Sequence, residues 1–184
     1  MSHTQILEYE FESNICSELC ERGWLYQDDG DTDAAGWDEG LALVPGDVLH
    51  WLATQYPDEY EKAIPADLTG RPRDTAERAL LTHLTKELSK TSRIDTTTGK
   101  TVGGLLGVLR TGFTYAQVGR PAAKFGPMIV FPPARPELID VSEASDAVRL
   151  RVMRQVRFDT TTNETIDVVL CANGIPVATM ELKT

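Results

Sequence analysis

Two periodicities divide the chain. Up to about residue 115 apolar residues recur at helical spacing, and from Val148 onward they alternate or run together as strands do. Phe11, Ile15 and Leu19 repeat at i, i+4 and i+8, which predicts an amphipathic helix capped by Thr4 and ended by Gly23. A second helical stretch follows around "VLHWLATQY", with Asp47 as its expected cap and an interruption near Pro57. In a third, Asp74 and Glu77 resemble a capping box, and Leu80, Leu81, Leu84 and Leu88 form the apolar face. "VGGLLGVLRTGF" reads as a short helix or turn region weakened by glycine, and "FGPMIVFPPARPE" as one strand stopped by prolines.

Beyond Val148, "VRLRVMRQVRF" alternates apolar residues with arginine, "DTTTNET" is a polar turn, and "IDVVLCA" and "IPVATMEL" are apolar strands joined at Asn173-Gly174. Helices followed by an antiparallel meander predict an α+β fold, helical over about 1–115 and strand-rich over about 125–184. A length of 184 residues with 41% hydrophobic residues predicts a single domain with one core.

Charge is unevenly spread. Residues 1–61 hold 15 acidic residues against Arg22 alone, a balance of −14, whereas residues 62–184 hold 13 acidic and 17 basic, a balance of +4. A polyanion is repelled by the first third and can approach only the remainder. No run approaches the ~18 apolar residues of a membrane span, and "MSHTQILEYEFES" lacks the basic-then-apolar order of a secretion signal, so a cytoplasmic location is expected. Three cysteines without CxxC spacing fit reduced thiols, with Cys16 and Cys20 one helical turn apart as packing residues. His83, on the third helix without a nucleophile beside it, reads as structural.

Two motif-like stretches fail on detail. Asp29, Asp31 and Asp33 imitate a calcium loop, but Ala34 stands where its glycine is required and Gly40 where its final glutamate is. Gly99-Lys100-Thr101 imitates the end of a phosphate-binding loop, but Ile94 stands at its first glycine and no buried strand precedes it.

Candidate chemistry lies at the end of the meander. Asp167 opens the second strand, and Glu181 with Lys183 closes the third, so a hairpin brings these ends together. With only Asn173 and Gly174 in the loop, Asp167 pairs with Met180 and Glu181 falls on the opposite face. A shared face requires an odd-length turn or a bulge. Two carboxylates helped by a backbone carbonyl and water suit Mg²⁺ or Mn²⁺, which polarises a phosphoryl oxygen and activates water, while Lys183 orients that water or offsets negative charge. The chemistry so built is phosphodiester hydrolysis. Glu8 and Glu12 stand beside the first helix's apolar stripe, either as a solvated flank or as additional acids. Arg149, Arg151, Arg154 and Arg157 serve equally as phosphate contacts or as a soluble strand face.

The run "RLRVMRQVRFDTTTNETIDVVLCANGIPVATMELKT", Arg149–Thr184, resembles the nuclease segment of the R subunit of type I restriction endonucleases. Weaker similarity extends through "FESNICSELCERGW", "ALLTHLTKELSK", "GVLRTGF" and "FPPARPE". The resemblance implies a restriction-endonuclease-like PD-(D/E)xK core, with Asp167 and Glu181 as metal ligands, Lys183 as the catalytic lysine and Glu12, before Glu8, as an assisting acid. It also implies Mg²⁺ or Mn²⁺ as cofactor, double-stranded DNA as substrate, and methylation and specificity subunits as partners. ATP enters only through motor domains whose motifs this sequence does not contain. The family places a further helix, carrying a Gln and a Tyr, after the E-x-K strand, so the chain is expected to be a nuclease domain truncated after that strand, with activity of the isolated fragment in question. A reading from another class is a non-catalytic docking module for other restriction subunits, using the acidic first third as contact or DNA mimic.

Overall fold

The computed structural model describes residues 3–26, 36–132, 139–159, 161–162 and 164–182, with side chains in the first helix from Tyr9 onward. In chain order the elements are α1 (His3–Glu21), α2 (Pro45–Gln55), α3 (Pro57–Ala63), α4 (Gly70–Leu88), β1 (Arg93–Ile94), β2 (Thr101–Val102), α5 (Gly104–Thr111), β3 (Phe113–Tyr115), β4 (Ala123–Phe125), α6 (Ile139–Asp146), β5 (Leu150–Arg157), β6 (Thr165–Ala172) and β7 (Ile175–Met180). The fold is α+β. All strand pairs of these elements are antiparallel: two short hairpins, β1–β2 and β3–β4, and the three-stranded meander β5-β6-β7. No helix among the described residues is long and apolar enough to cross a membrane.

Two compact units emerge, one from Met1–Val48 with Arg149–Thr184, the other from Leu49–Val148. In the first, period-two alternation sends successive side chains of the meander to opposite faces. Val152 and Val168 pack with Cys16 of α1 on one face, joined by Leu19, Trp24, Leu170 and Met180. Met153, Val156, Val169 and Cys171 pack with Trp37 and Val44 on the other. Leu25 adds a parallel bridge outside β5, its N–H donating to Leu150 O at 2.8 Å and its carbonyl accepting from Val152 N at 3.0 Å.

Asn173 and Gly174 form the β6–β7 turn with φ of 47° and 79°, the paired positive values of a type I′ turn. Fully buried Asn173 accepts from Arg149 N through Oδ1 at 2.8 Å, and the Gly174 carbonyl accepts from Val44 N at 2.9 Å. The turn is therefore tied to the segment entering α2.

Three expectations about element ends are corrected. Pro45 opens α2, at a position where its missing N–H costs nothing, so Asp47 is no cap. Its buried carboxylate instead pairs with Arg149 at 3.1 Å and Arg151 at 2.7 Å. α4 begins at Gly70, ahead of the expected Asp74, and Glu77 binds Arg73 at 2.9 Å rather than closing a capping box. Among the described residues, "FGPMIVFPPARPE" contributes only Phe125 to a strand. Pro127 has no N–H for a ladder, and the N–H groups of Met128 and Ile129 go instead to the last carbonyls of α5, Val108 O and Leu109 O, at 3.3 Å each.

In the second unit α4 buries Leu80, Leu81 and Leu84. His83 has Nε2 at 2.9 Å from Thr114 O and its ring against Phe113 and Tyr115. Gly99-Lys100-Thr101 belongs to the β1–β2 hairpin, whose turn is held by the Asp95 carboxylate accepting from Thr97 N and Thr98 N. Asp29, Asp31 and Asp33 lie outside the described residues.

Candidate functional site

Pro176 cannot donate to a ladder, and proline in sheets gathers at edges and bulges. β7 is the edge of the meander, and its register changes just past this proline. Ala172 pairs with Ile175 and Cys171 with Pro176, but Leu170 pairs with Ala178, leaving Val177 as the extra residue. From there Val169 faces Thr179 and Val168 faces Met180, so one further step places Glu181 across from Asp167. The two-residue turn alone would have set Met180 there. The bulge changes which residue faces Asp167.

On the other side of β6, constant pairing from Leu150↔Ala172 to Arg157↔Thr165 sets Gln155 across from Asp167. This rung is irregular. Gln155 has φ of 53°, a left-handed conformation in which only a few per cent of non-glycine residues are found. Arg154 reaches α1, whereas Val156, two residues on, packs with Trp37 on the opposite face; Val168 and Ile166 separate in the same way on β6. Both strands thus switch facing at the 155/167 rung, and the residues there turn toward α1.

The helix meets them with an unexpected face. Phe11 is 55% exposed, while Glu12 is only 4% exposed and Cys16 fully buried. The buried stripe is displaced by one residue, about 100° around the helix. The sheet explains this, because here it presents donors rather than hydrocarbon. Arg154 donates to Ser13 Oγ at 2.8 Å and to Tyr9 Oη at 3.1 Å, and its guanidinium stacks 4.3 Å from the Tyr9 ring centre. Burial acts to lower the Arg154 pKa, but the Tyr9 hydroxyl and the fields of Tyr26, Tyr9 and Glu12 outweigh it and hold it above its ordinary value.

Gln155 Nε2 donates to Glu12 Oε1 at 2.9 Å and lies 3.5 Å from Asp167 Oδ1, while Gln155 Oε1 accepts from Thr165 Oγ1 at 2.8 Å. Asp167 Oδ2 accepts from Leu182 N at 2.6 Å, fastening the chain between Glu181 and Lys183 to β6. Two carboxylates from α1 and β6 therefore converge on one amide, beside the backbone of the E-x-K segment. Glu181 is exposed at the end of that segment. Lys183 lies outside the described residues, as does the Glu8 side chain.

The donor set is made of hard oxygens, which suits Mg²⁺ or Mn²⁺ rather than a soft metal. Among the described residues no group of three or more His, Cys, Asp or Glu side chains is gathered for a metal. Glu12 and Asp167 are the pair brought together, and Glu181 is placed by register alone. Of the arginines considered for phosphate contact, Arg149 and Arg151 hold Asp47 and Arg154 is buried against α1; Arg157 is exposed.

Gln155 escaped the sequence reading. Its signal is the polar pair Arg154-Gln155 inside a strand; Val152 and Val156 are an even number of residues apart and keep one phase in the sequence, so only the structure shows them on opposite faces.

Residues 133–184 match the family model described as the type I restriction enzyme R protein N terminus. Comparison with curated proteins and with solved structures returned no match.

Proposed function

We propose, from the match of residues 133–184 to the family model of the type I restriction enzyme R protein N terminus, that this chain carries the DNA-cleaving site of such a subunit, on a PD-(D/E)xK core. The observation that carries the reading is the approach of Glu12 and Asp167 to one amide, at the rung where the β7 bulge also sets Glu181. Asp167 and Glu181 are assigned as ligands of Mg²⁺ or Mn²⁺, with Glu12 as an assisting acid. When bound, such an ion activates water and stabilises charge on the phosphoryl oxygens during hydrolysis of a phosphodiester bond. Asp167 also positions the E-x-K segment through Leu182 N–H. Lys183, next along that segment, is assigned to orient water or offset negative charge. Double-stranded DNA is the substrate, methylation and specificity subunits are the partners, and ATP acts through motor domains beyond the motifs of this chain.

A second reading has its own support. A carboxylate capping Leu182 N–H and facing a glutamine amide also suffices as a structural lock, which is what a non-catalytic docking module needs. Calorimetric titration of Mn²⁺ separates the two. The nuclease reading expects binding by the unaltered chain that Asp167→Asn and Glu181→Ala each weaken by tenfold or more. Binding indifferent to both substitutions, or none at all, removes it.

A further inference from the structure

The resemblance assigns Gln155 no role, yet it holds the centre of the candidate site. It is surface-accessible on a strand, adopts φ of 53°, and bonds through both ends of its amide. An exposed strand residue left to its own preferences takes an extended conformation. The left-handed backbone persists only where surrounding interactions determine it, and such outliers cluster at functional sites. Here those interactions have a defined direction. Thr165 Oγ1 donates to Gln155 Oε1, which orients the amide so that Nε2 points at the carboxylates. Nε2 then lies 2.9 Å from Glu12 Oε1 and 3.5 Å from Asp167 Oδ1.

We propose that Gln155 is a positioning residue for the Glu12/Asp167 pair, its amide orienting the two carboxylates toward one place, where a divalent cation would be held. The proposal rests on the metal-site reading above and adds a residue to it. Two carboxylates brought together without a cation repel, and a neutral donor between them offsets that repulsion without itself competing for a metal. Hydrogen-bond partners that orient ligating carboxylates contribute 10- to 100-fold to metal affinity. The left-handed backbone also directs consecutive side chains, Arg154 and Gln155, both toward α1, which an extended strand cannot do. One fixes the helix through Tyr9 and Ser13, and the other fixes the acid between them in sequence.

The test uses Gln155→Asn and Gln155→Glu. Asparagine is well tolerated in the left-handed region and keeps the amide but retracts it by one methylene, so the fold should survive with the bridge broken. Mn²⁺ affinity measured by calorimetry should fall about tenfold or more in Gln155→Asn, with little change in thermal midpoint. Gln155→Glu keeps the length but adds a third negative charge, so its thermal midpoint should fall without metal and recover in excess Mn²⁺. Two results are distinguishable failures. If the unaltered chain binds Mn²⁺, Asp167→Asn weakens it, and Gln155→Asn binds as before, the role of Gln155 is overturned while the metal site stands. If Asp167→Asn changes nothing or the unaltered chain does not bind, the metal site falls and this proposal with it. A Gln155→Glu midpoint that ignores Mn²⁺ likewise overturns the positioning role.

Discussion

Substituting Gly174 by alanine tests how the turn that starts β7 is held. At φ of 79° any L residue is strained, by about 1–2 kcal/mol. A Cβ there would also meet the Val44 carbonyl oxygen, Val48 Cγ2 at 2.8 Å and Val48 N at 2.9 Å. Two of these are backbone atoms, and the Val44 N–H bond to the Gly174 carbonyl at 2.9 Å leaves that backbone little room to withdraw. Overpacking of this kind costs about 1–3 kcal/mol, so Gly174→Ala should lose about 2–5 kcal/mol. Gly23 supplies the control within the same unit, with φ of 88° and nothing within 4 Å of a built Cβ. Gly23→Ala carries the backbone strain alone, and part of that is offset by the stiffer unfolded chain. Urea denaturation of both variants, followed by far-ultraviolet circular dichroism, isolates the clash as their difference. Equal losses would refute the argument, because the approach to Val44 and Val48 would then have no energetic consequence.

Asp47→Ala strips the carboxylate from Arg149 and Arg151, the latter with a side chain only 12% exposed, and should cost about 3–5 kcal/mol in urea denaturation; a loss below about 1 kcal/mol would show the pairs to be dispensable. Burial, and then the neighbouring Asp47 carboxylate, push the Cys171 thiol from 9.0 up to about 12. In native protein at pH 8 a thiol-reactive dye should therefore label exposed Cys20 at once and Cys171 only on unfolding. Because the folded-state value is raised, its stabilisation is complete below about pH 9 and lost as pH rises toward 12, a change of about 4 kcal/mol. Denaturation midpoints at pH 8, 10 and 11 should fall less steeply in Cys171→Ala than in the unaltered chain, and parallel slopes would contradict the assignment.

Much of the architecture is legible in the order of residues, because it follows from local rules. The arginine-alternating strand and the Asn173-Gly174 hairpin each need only neighbouring residues to be specified, and both occur where expected. The pairing of Asp167 with the end of β7 follows in part, since two strands joined by a short turn must bring start and end together. The sequence also shows that a shared face for Asp167 and Glu181 needs an odd register. It does not show that a bulge at Val177 shifts the register by one, because bulge position depends on how Pro176 meets its partner strand. The rotation of α1 lay further out of reach. Phe11, Ile15 and Leu19 make the better apolar stripe, yet Glu12 is buried, because buried Arg154 and its neighbour Gln155 present donors that acceptors on α1 meet. Such a requirement arises only when strand and helix, more than a hundred residues apart, are packed together. Local patterning determines which elements form; where buried polar groups must find one another, only the tertiary structure decides which face each element turns inward.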